Sequence, residues 1–427
     1  MSKPKVIVVG GGFSGCAAAV AAAKAGASVQ LLERTDMLGG AGLRAGRMNY
    51  NGKFVAAEEC KAMGAGEIFE ALENIVLHRA NIVDEENVYI YNVGKLDMTL
   101  QRVLQKWGVQ YRLVSRIVGV KKKDNRIEAV TLNNKEKIEG DVFLDCTGSF
   151  GGIDNCVRFG KGCVMCIHRC PIFGNRVSIA TKAGAQEIPH LRPDGTPGRL
   201  SPSITVFKES LSPELQRRVE KEGAFSIKLP REMIDYNKET SLFPGIRGEH
   251  QIEHINLVNI GLVVKCPAIG YFHLEDWRKI PGFENVLVEH PMGGAIFNFV
   301  NHTATSPRDN TMVVRGFTNL FEGGEKSGNG GIAECAATGS LAGFNAVRVA
   351  AGLQPVQLPG TTALGYFIAT VGNAIDTPHG LETGHSLGHR ECFEEIKKMG
   401  LYSREAKTVW KRIEKEGLIN FLAQKLV

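Results

Sequence analysis

Ten residues near the N-terminus, Val6-Ile7-Val8-Val9-Gly10-Gly11-Gly12-Phe13-Ser14-Gly15, leave this chain few ways to fold. Four consecutive branched apolar residues predict a strand buried on both faces. Gly10, Gly12 and Gly15 then spell G-x-G-x-x-G in the tight turn that opens an alanine-rich helix. Gly10 permits the turn, Gly12 lets a pyrophosphate approach the backbone, and Gly15 lets helix and sheet pack closely. Phe13 and Ser14 fall in the first helical turn, where unpaired N–H groups and the helix dipole favour phosphate. A second strand, Ala27-Ser28-Val29-Gln30-Leu31-Leu32, ends at Glu33, a carboxylate placed to accept ribose hydroxyls, with Arg34 beside it. Strand, turn, helix, strand and acid in register predict a Rossmann-like dinucleotide-binding unit.

The chain has 427 residues, enough for two domains and a tail. Its formal net charge of +6 permits an anionic partner without demanding one. Lys3 and Lys5 precede an apolar run, but three glycines break that run too early for a secretion signal. No stretch offers about 18 uncharged apolar residues, so no membrane span is expected. Ten cysteines without a secretion signal predict reduced thiols and a cytoplasmic protein.

Three further segments resemble the two-dinucleotide-binding-domain flavoproteins, and that resemblance implies FAD. A glycine doublet, Gly39-Gly40, follows the ribose-binding acid. The apolar run Val142-Phe143-Leu144-Asp145 ends at Cys146-Thr147-Gly148, a strand end that returns to the cofactor in that class. Near the C-terminus, Asn319-Leu320-Phe321-Glu322 leads into Gly323-Gly324-Glu325, and a small-residue helix starts around Gly330-Gly331-Ile332. Such a helix aims its N-terminus at the flavin pyrimidine edge, where a reduced flavin carries negative charge; the alternative is a helix packed closely through its small residues. The implied FAD contacts are Gly10, Gly12, Phe13, Ser14, Gly15, Glu33, Arg34, Gly40, Thr147, Gly148, Gly324, Glu325, Gly330, Gly331 and Ile332.

The same C-terminal segment, with Ile280-Pro281-Gly282-Phe283-Glu284-Asn285-Val286 and Pro359-Gly360-Thr361-Thr362-Ala363-Leu364-Gly365, is similar to the FAD-dependent tRNA uridine-modifying (GidA/TrmFO-like) family. The resemblance implies chemistry on RNA. Two departures accompany it. The family's methyltransferases carry a reactive cysteine shortly after the N-terminal glycines, whereas Gly42 to Gly52 holds none and Cys60 is the nearest. The family's wobble enzymes carry acidic residues in the loop matching Gly293 to Phe299, which here is apolar apart from Asn298.

A second cluster stands apart. Cys156, Cys163, Cys166 and Cys170 lie within 15 residues, and Cys163, Cys166, Cys170 and Pro171 reproduce C-x2-C-x3-C-P, the closing half of a ferredoxin run. Cys156 or the remote Cys266 would supply a fourth thiolate for a 4Fe-4S cluster. A redox-active Cys163–Cys166 pair, a structural zinc site and unlinked buried cysteines are the other readings. Arg158, Lys161, His168 and Arg169 surround the cluster, as stabilising charges or as a solvated face. His290 and Asn298 are candidates for substrate contact. His379, His385 and His389 read as surface histidines, and Cys16 and Cys335 as small core residues.

The expected organisation is α/β: a discontinuous FAD-binding domain of residues 1–155 and 301–355, an inserted α+β substrate and cysteine-cluster domain of residues 156–300, and a mostly helical region of residues 356–427. Strand-like runs fall at Ser203–Phe207 and Ile255–Lys265. Helices are expected over Glu391–Met399 and Ser403–Glu416, with Leu418, Ile419, Phe421 and Leu422 docking on the protein or on a second subunit of a homo-oligomer. The function expected is an FAD-dependent oxidoreductase, with Cys163, Cys166 and Cys170 relaying electrons. No second nucleotide fingerprint exists for NAD(P)H, so the donor or acceptor is a nicotinamide bound otherwise, a ferredoxin-like protein or a thiol. The alternatives are a flavin-dependent RNA uridine-modifying enzyme and a flavin-bearing subunit of a larger complex.

Overall fold

The computed structural model describes residues 3–48, 51–82, 85–149, 169–189, 199–200, 203–234, 253–267, 273–289, 300–301, 304–377, 386–388 and 390–427. Five parallel strands form its centre: β1 (Lys5–Val9), β2 (Ser28–Leu32), β3 (Gln110–Arg112), β4 (Val142–Asp145) and β5 (Leu320–Glu322), in spatial order β3-β2-β1-β4-β5. The apolar runs are continuous because both faces of the sheet are covered. Val6, Val8, Leu31 and Leu144 turn toward two helices, α1 (Phe13–Lys24) and α3 (Ile332–Ala350). Ile7, Val9, Leu32 and Phe143 turn to the opposite face. There an antiparallel meander of Ile117–Lys123, Arg126–Leu132 and Lys137–Glu139 supplies Ile127, Val130 and Ile138. Its first strand runs on through the lysines Lys121–Lys123. Asn319 stitches the two layers: its amide donates to the carbonyls of Ile127 (2.8 Å) and Asp141 (2.9 Å), and its side-chain oxygen accepts from Ile127 N–H (2.9 Å).

Glycines let α1 and α3 approach. A Cβ on Gly339 would lie 2.2 Å from the Ser14 carbonyl oxygen, and one on Gly343 would lie 2.1 Å from that of Ala18. The two positions are one turn apart on a single helix face.

A separate core lies within residues 203–289. Ser203–Phe207, Val263–Pro267, His254–Asn259 and Ala224–Lys228 form an antiparallel sheet in that order, covered by the helix Pro213–Glu222 and by stacked Trp277 and Phe283. The run Ile255–Lys265, expected as one strand, is a hairpin. Asn259 accepts from Gly261 N–H (3.2 Å), and Gly261 takes the positive φ of 119° needed for the reversal. This unit is fastened beside the central sheet: Arg44 pairs with Glu289, and Lys265 donates to the Ala45 carbonyl (2.8 Å).

The C-terminal helices form at Arg390–Lys398 and α5 (Ala406–Lys415). Val409, Ile413 and Leu422 are buried in the main core, and Phe421 packs on Phe344. The tail thus docks on its own chain. Glu59, on α2 (Gly52–Ala62), accepts from Ala363 and Leu364 N–H (2.9 Å each) at the start of α4 (Ala363–Ile375) and from the Arg412 guanidinium (2.8 Å). Among the described residues no helix is long and apolar enough to cross a membrane.

Candidate active site: a cofactor cleft at the switch point of the sheet

The connections leaving β1 and β4 run to opposite sides, which opens a crevice at their carboxyl ends. Gly10 sits at its floor with φ +104°, and a Cβ there would meet the Cys146 carbonyl oxygen at 2.3 Å, so only glycine fits. Gly15 packs on the Gly10 carbonyl and does not line the cleft. At Gly12 a Cβ would meet nothing within 4 Å: it would project into open space at the N-terminus of α1. The first N–H groups of that helix have no intrahelical acceptor and face the cleft. This is the room and the donor set that a pyrophosphate requires.

Glu33 lies at the other end. Its Oε2 accepts from Gly11 N–H (2.6 Å), and its Oε1 accepts from Thr35 N–H (2.7 Å) and the Thr35 hydroxyl (2.9 Å). The carboxylate is thereby locked, and one acceptor site on Oε2 is left open toward the cleft, suited to a ribose hydroxyl. Arg34, buried enough that its guanidinium pKa falls below the ordinary value, donates to the Gly174 carbonyl (2.6 Å). The Gly39 N–H donates to Gly11 (2.8 Å), which brings Gly40 to the cleft wall against Gly12.

The far wall comes from two distant segments. Asp145 is fully buried and accepts from Thr147 N–H (3.2 Å), the Thr147 hydroxyl (2.6 Å), the Ser178 hydroxyl (2.7 Å) and Ala180 N–H (3.0 Å). Burial raises its pKa, but Lys326 and these donors overcome that and hold it below the ordinary carboxylate value. Asp145 therefore fixes Thr147 and Gly148 at the cleft. Arg176 lines it too, donating to the Thr147 hydroxyl (3.3 Å) and to Glu187 (3.1 and 3.2 Å). Gly323, Gly324 and Glu325 enter from β5, and Gly331 and Ile332 from the start of α3. Gly324 N–H is held by the Thr338 hydroxyl (2.9 Å).

Of the residues named from the sequence, Gly10, Gly12, Phe13, Ser14, Glu33, Arg34, Gly40, Thr147, Gly148, Gly324, Glu325, Gly331 and Ile332 line one cleft; Gly15 and Gly330 do not. The helix expected near Gly330 both presents its N-terminus there and packs through small residues. Arg116 and Arg176 also line the cleft, though no motif announced them, and so does Arg169, which the sequence offered only as a neighbour of the cysteine cluster. Cys335, expected in the core, is half-buried at the cleft wall. Cys16, as expected, is buried. Cys146 also reaches the cleft wall, where burial pushes its thiol up to about 12. Cys60 is fully buried and its thiol is pushed well above the ordinary value, so it presents no nucleophile.

Cys156, Cys163, Cys166, His290, Asn298, His379, His385 and His389 lie outside the described residues. Cys170 opens the short helix Cys170–Phe173 near Arg34. Among the described residues no group of three or more histidine, cysteine, aspartate or glutamate side chains could hold a metal ion.

Residues 5–149 match the FAD dependent oxidoreductase family model, and residues 273–354 match that of glucose inhibited division protein A. These matches, each over less than half of the chain, support an FAD-dependent oxidoreductase similar to the GidA/TrmFO family. The fold agrees: the structure of Aquifex aeolicus GidA superposes with a TM-score of 0.66 at 18% identity, covering 97% of this chain and 76% of that one. Curated matches are local. The tRNA uridine 5-carboxymethylaminomethyl modification enzyme MnmG of Aquifex aeolicus is 37% identical over 84 residues, 20% of this chain and 13% of that protein. The methylenetetrahydrofolate–tRNA-(uracil-5-)-methyltransferase TrmFO of Crocosphaera subtropica is 35% identical over 100 residues, 23% of this chain and 21% of that one. The FAD-dependent monooxygenase ntnJ of Nectria sp is 32% identical over 153 residues, 34% and 36% of the two chains. FAD is the cofactor that the matched family model names, and the cleft fits it. Were FAD bound here, Gly12 and the start of α1 would face the pyrophosphate, Glu33 the ribose, and Gly324 with the start of α3 the flavin end. When bound, FAD supplies two-electron oxidation or reduction.

Proposed function

We propose that this protein binds FAD in the cleft between β1 and β4 and moves an electron pair between the flavin and a substrate or redox partner. One observation carries the reading. Segments more than about 300 residues apart in sequence, Gly10–Ser14 and Gly323–Ile332, converge with Glu33 on a single cleft with the donor set of an FAD site. In this reading Cys163, Cys166 and Cys170 relay electrons, with Cys156 completing a 4Fe-4S ligand set.

A second reading, uridine modification on RNA, is favoured by the tRNA-directed relatives matched over part of the chain. Against it, residues 280–286 serve a hydrophobic core and residues 320–350 build the cofactor site, so the shared stretch speaks for FAD and not for substrate. Cys60 is also buried away from the cleft.

The test is a spectrum of protein purified without oxygen, with the flavin extracted and identified and with iron and sulfide assays. Flavin bands bleached by NAD(P)H, a reduced ferredoxin or a thiol support the oxidoreductase. Iron and sulfide at about four each per chain support the cluster. No flavin in the purified protein, and none taken up on adding FAD, refutes the proposal. Copurifying RNA whose binding falls steeply with salt moves the assignment to uridine chemistry.

A further inference from the structure

Behind the glycine turn that lines the cleft lies a buried charge cluster to which the oxidoreductase reading assigns no role. Glu322 ends β5 and Asp145 ends β4, and the two are register partners on adjacent parallel strands. Register partners present their side chains on the same face of a sheet, so two carboxylates stand side by side. Both residues are fully buried. Asp145 has four hydrogen-bond donors. Neither oxygen of Glu322 meets a donor at full hydrogen-bond geometry among the described residues.

The groups facing Glu322 come from three directions. Lys326 stands on the single turn Gly324–Ser327, Arg308 and Ser306 on the segment before β5, and Asp145 with Cys146 at the end of β4. Lys326 is itself fully buried and donates to Glu187 (2.6 Å) and to the Ser306 hydroxyl. Glu187 in turn holds Arg176, which lines the cleft. Arg308 spends its donors on the carbonyls of Ser327 (3.2 Å), Asp309 (3.1 Å) and Ile368 (3.3 Å) and on the Asn310 side chain (3.4 Å).

The cluster thus contains three acids, Asp145, Glu187 and Glu322, and three bases, Arg176, Arg308 and Lys326. Asp309 and Arg315 lie beside Arg308 on its far side, so the protonation of Glu322 makes the charge behind Gly323 and Gly324 one unit more positive. We propose that Glu322 is a proton-holding positioning residue that sets the charge behind the cofactor cleft, so that FAD binds more tightly while Glu322 is protonated. This rests on the FAD reading above and names its regulation by pH.

The direction of the effect is fixed by the surroundings. Burial pushes the Glu322 carboxyl up and Asp145 adds to the push, while Lys326 and Arg308 pull it back; the balance stands at about 8. Cys146, pushed up to about 12, stays a neutral thiol across that range. Bound FAD is anionic at its pyrophosphate, and more so when its flavin is reduced. It therefore raises the proton affinity of Glu322, and by linkage the proton raises the affinity for FAD.

The experiment measures FAD affinity by fluorescence quenching from about pH 7 to about pH 9.5, in wild type and in Glu322→Gln, a neutral isostere of the protonated acid. The infrared carboxylic-acid carbonyl band of the apoprotein is followed over the same range. If FAD raises the proton affinity by about one pK unit, wild type loses about tenfold in affinity across the range, and the variant stays flat. Wild-type apoprotein shows a buried carboxylic-acid band that fades as pH rises, and Glu322→Gln lacks it. An equal pH dependence in both proteins, or no acid band in wild type at neutral pH, overturns the proposal. The band is read without cofactor, and it must persist in Glu59→Gln, which removes the other buried carboxyl with a raised pKa, so it decides the protonation of Glu322 even if Glu322→Gln folds poorly. Failure to bind FAD at every pH overturns the underlying FAD reading instead.

Discussion

Substituting alanine at Gly339 tests whether the contact of α1 with α3 shapes the cofactor site. The new Cβ would sit 2.2 Å from the Ser14 carbonyl oxygen and 2.9 Å from the Ser14 Cα. Ordinary contact begins at 3.4 Å, so the helices must part by about 1.2 Å (3.4 − 2.2) at that point. The obstacle is backbone, which cannot rotate away as a side chain would. Overpacking of this kind costs about 1–3 kcal/mol, and the better helix propensity of alanine returns about 1 kcal/mol. A net loss of up to about 2 kcal/mol in stability is expected. The displacement falls on Ser14 in the first turn of α1, so FAD affinity should drop as well. Gly360→Ala is the control, because a Cβ there meets nothing within 4 Å. Thermal unfolding of the apoprotein and fluorescence titration with FAD separate the two effects. Unchanged melting and unchanged FAD affinity in Gly339→Ala would refute the argument.

Glu33→Ala removes the acceptor for ribose and leaves Gly11 and Thr35 N–H unsatisfied; FAD affinity, read by the same titration, should fall by about 2–3 kcal/mol, roughly 30- to 150-fold. Arg412→Ala strands the buried Glu59 carboxylate and should cost about 3–5 kcal/mol in denaturant unfolding at neutral pH. Burial already holds the Glu59 pKa above its ordinary value against the pull of Arg412, so the native state binds that proton more tightly than the unfolded chain does. The deficit should therefore shrink as pH falls and Glu59 becomes neutral; a deficit that does not change with pH contradicts this. Asp145→Asn loses acceptors for Ser178 and Ala180 and should cost about 2 kcal/mol near neutrality. The Asp145 carboxyl lies below its ordinary value, so its contribution is present above the unfolded pKa and is lost as pH falls through the lower folded one. Wild type and variant should converge in acid, measured as melting temperature against pH.

The parts of the fold readable from sequence are those whose geometry is local. Val6–Gly15 and Glu33 announce β1, α1 and β2 because a glycine turn, a helix start and an acid must follow one another within a single unit. The strand ending at Thr147-Gly148 and the turn at Gly323–Glu325 were readable because buried parallel strands are apolar throughout. The three-stranded sheet of Arg47–Met48, Val76–Ile82 and Glu85–Tyr91 was not, since half of Val76–Ile82 is only partly buried and gives a weak alternation. Ile255–Lys265 misled because its reversal at Gly261 interrupts an apolar run without proline or a charged cluster. Arg176 and Arg116 reach the cleft through tertiary placement alone: Arg176 is held by Glu187 and Thr147, and Arg116 by the Asn175 carbonyl. Cys335 looked like any small residue of an alanine-rich helix, and only its position in the first turn of α3 brings it to the cleft.

The main sheet takes its fifth strand, and α1 its partner helix, from residues 320–350, although the first four strands are complete by Asp145. During synthesis the first βαβ unit therefore leaves the ribosome long before the surface that covers it. The face of α1 that meets Gly339 and Gly343 stays exposed until about two hundred further residues have been made. A truncated chain ending after residue 149 would keep the nucleotide fingerprint yet lack β5, α3 and the wall of the cleft. Such a fragment should behave as a chaperone client and not as a minimal cofactor-binding domain.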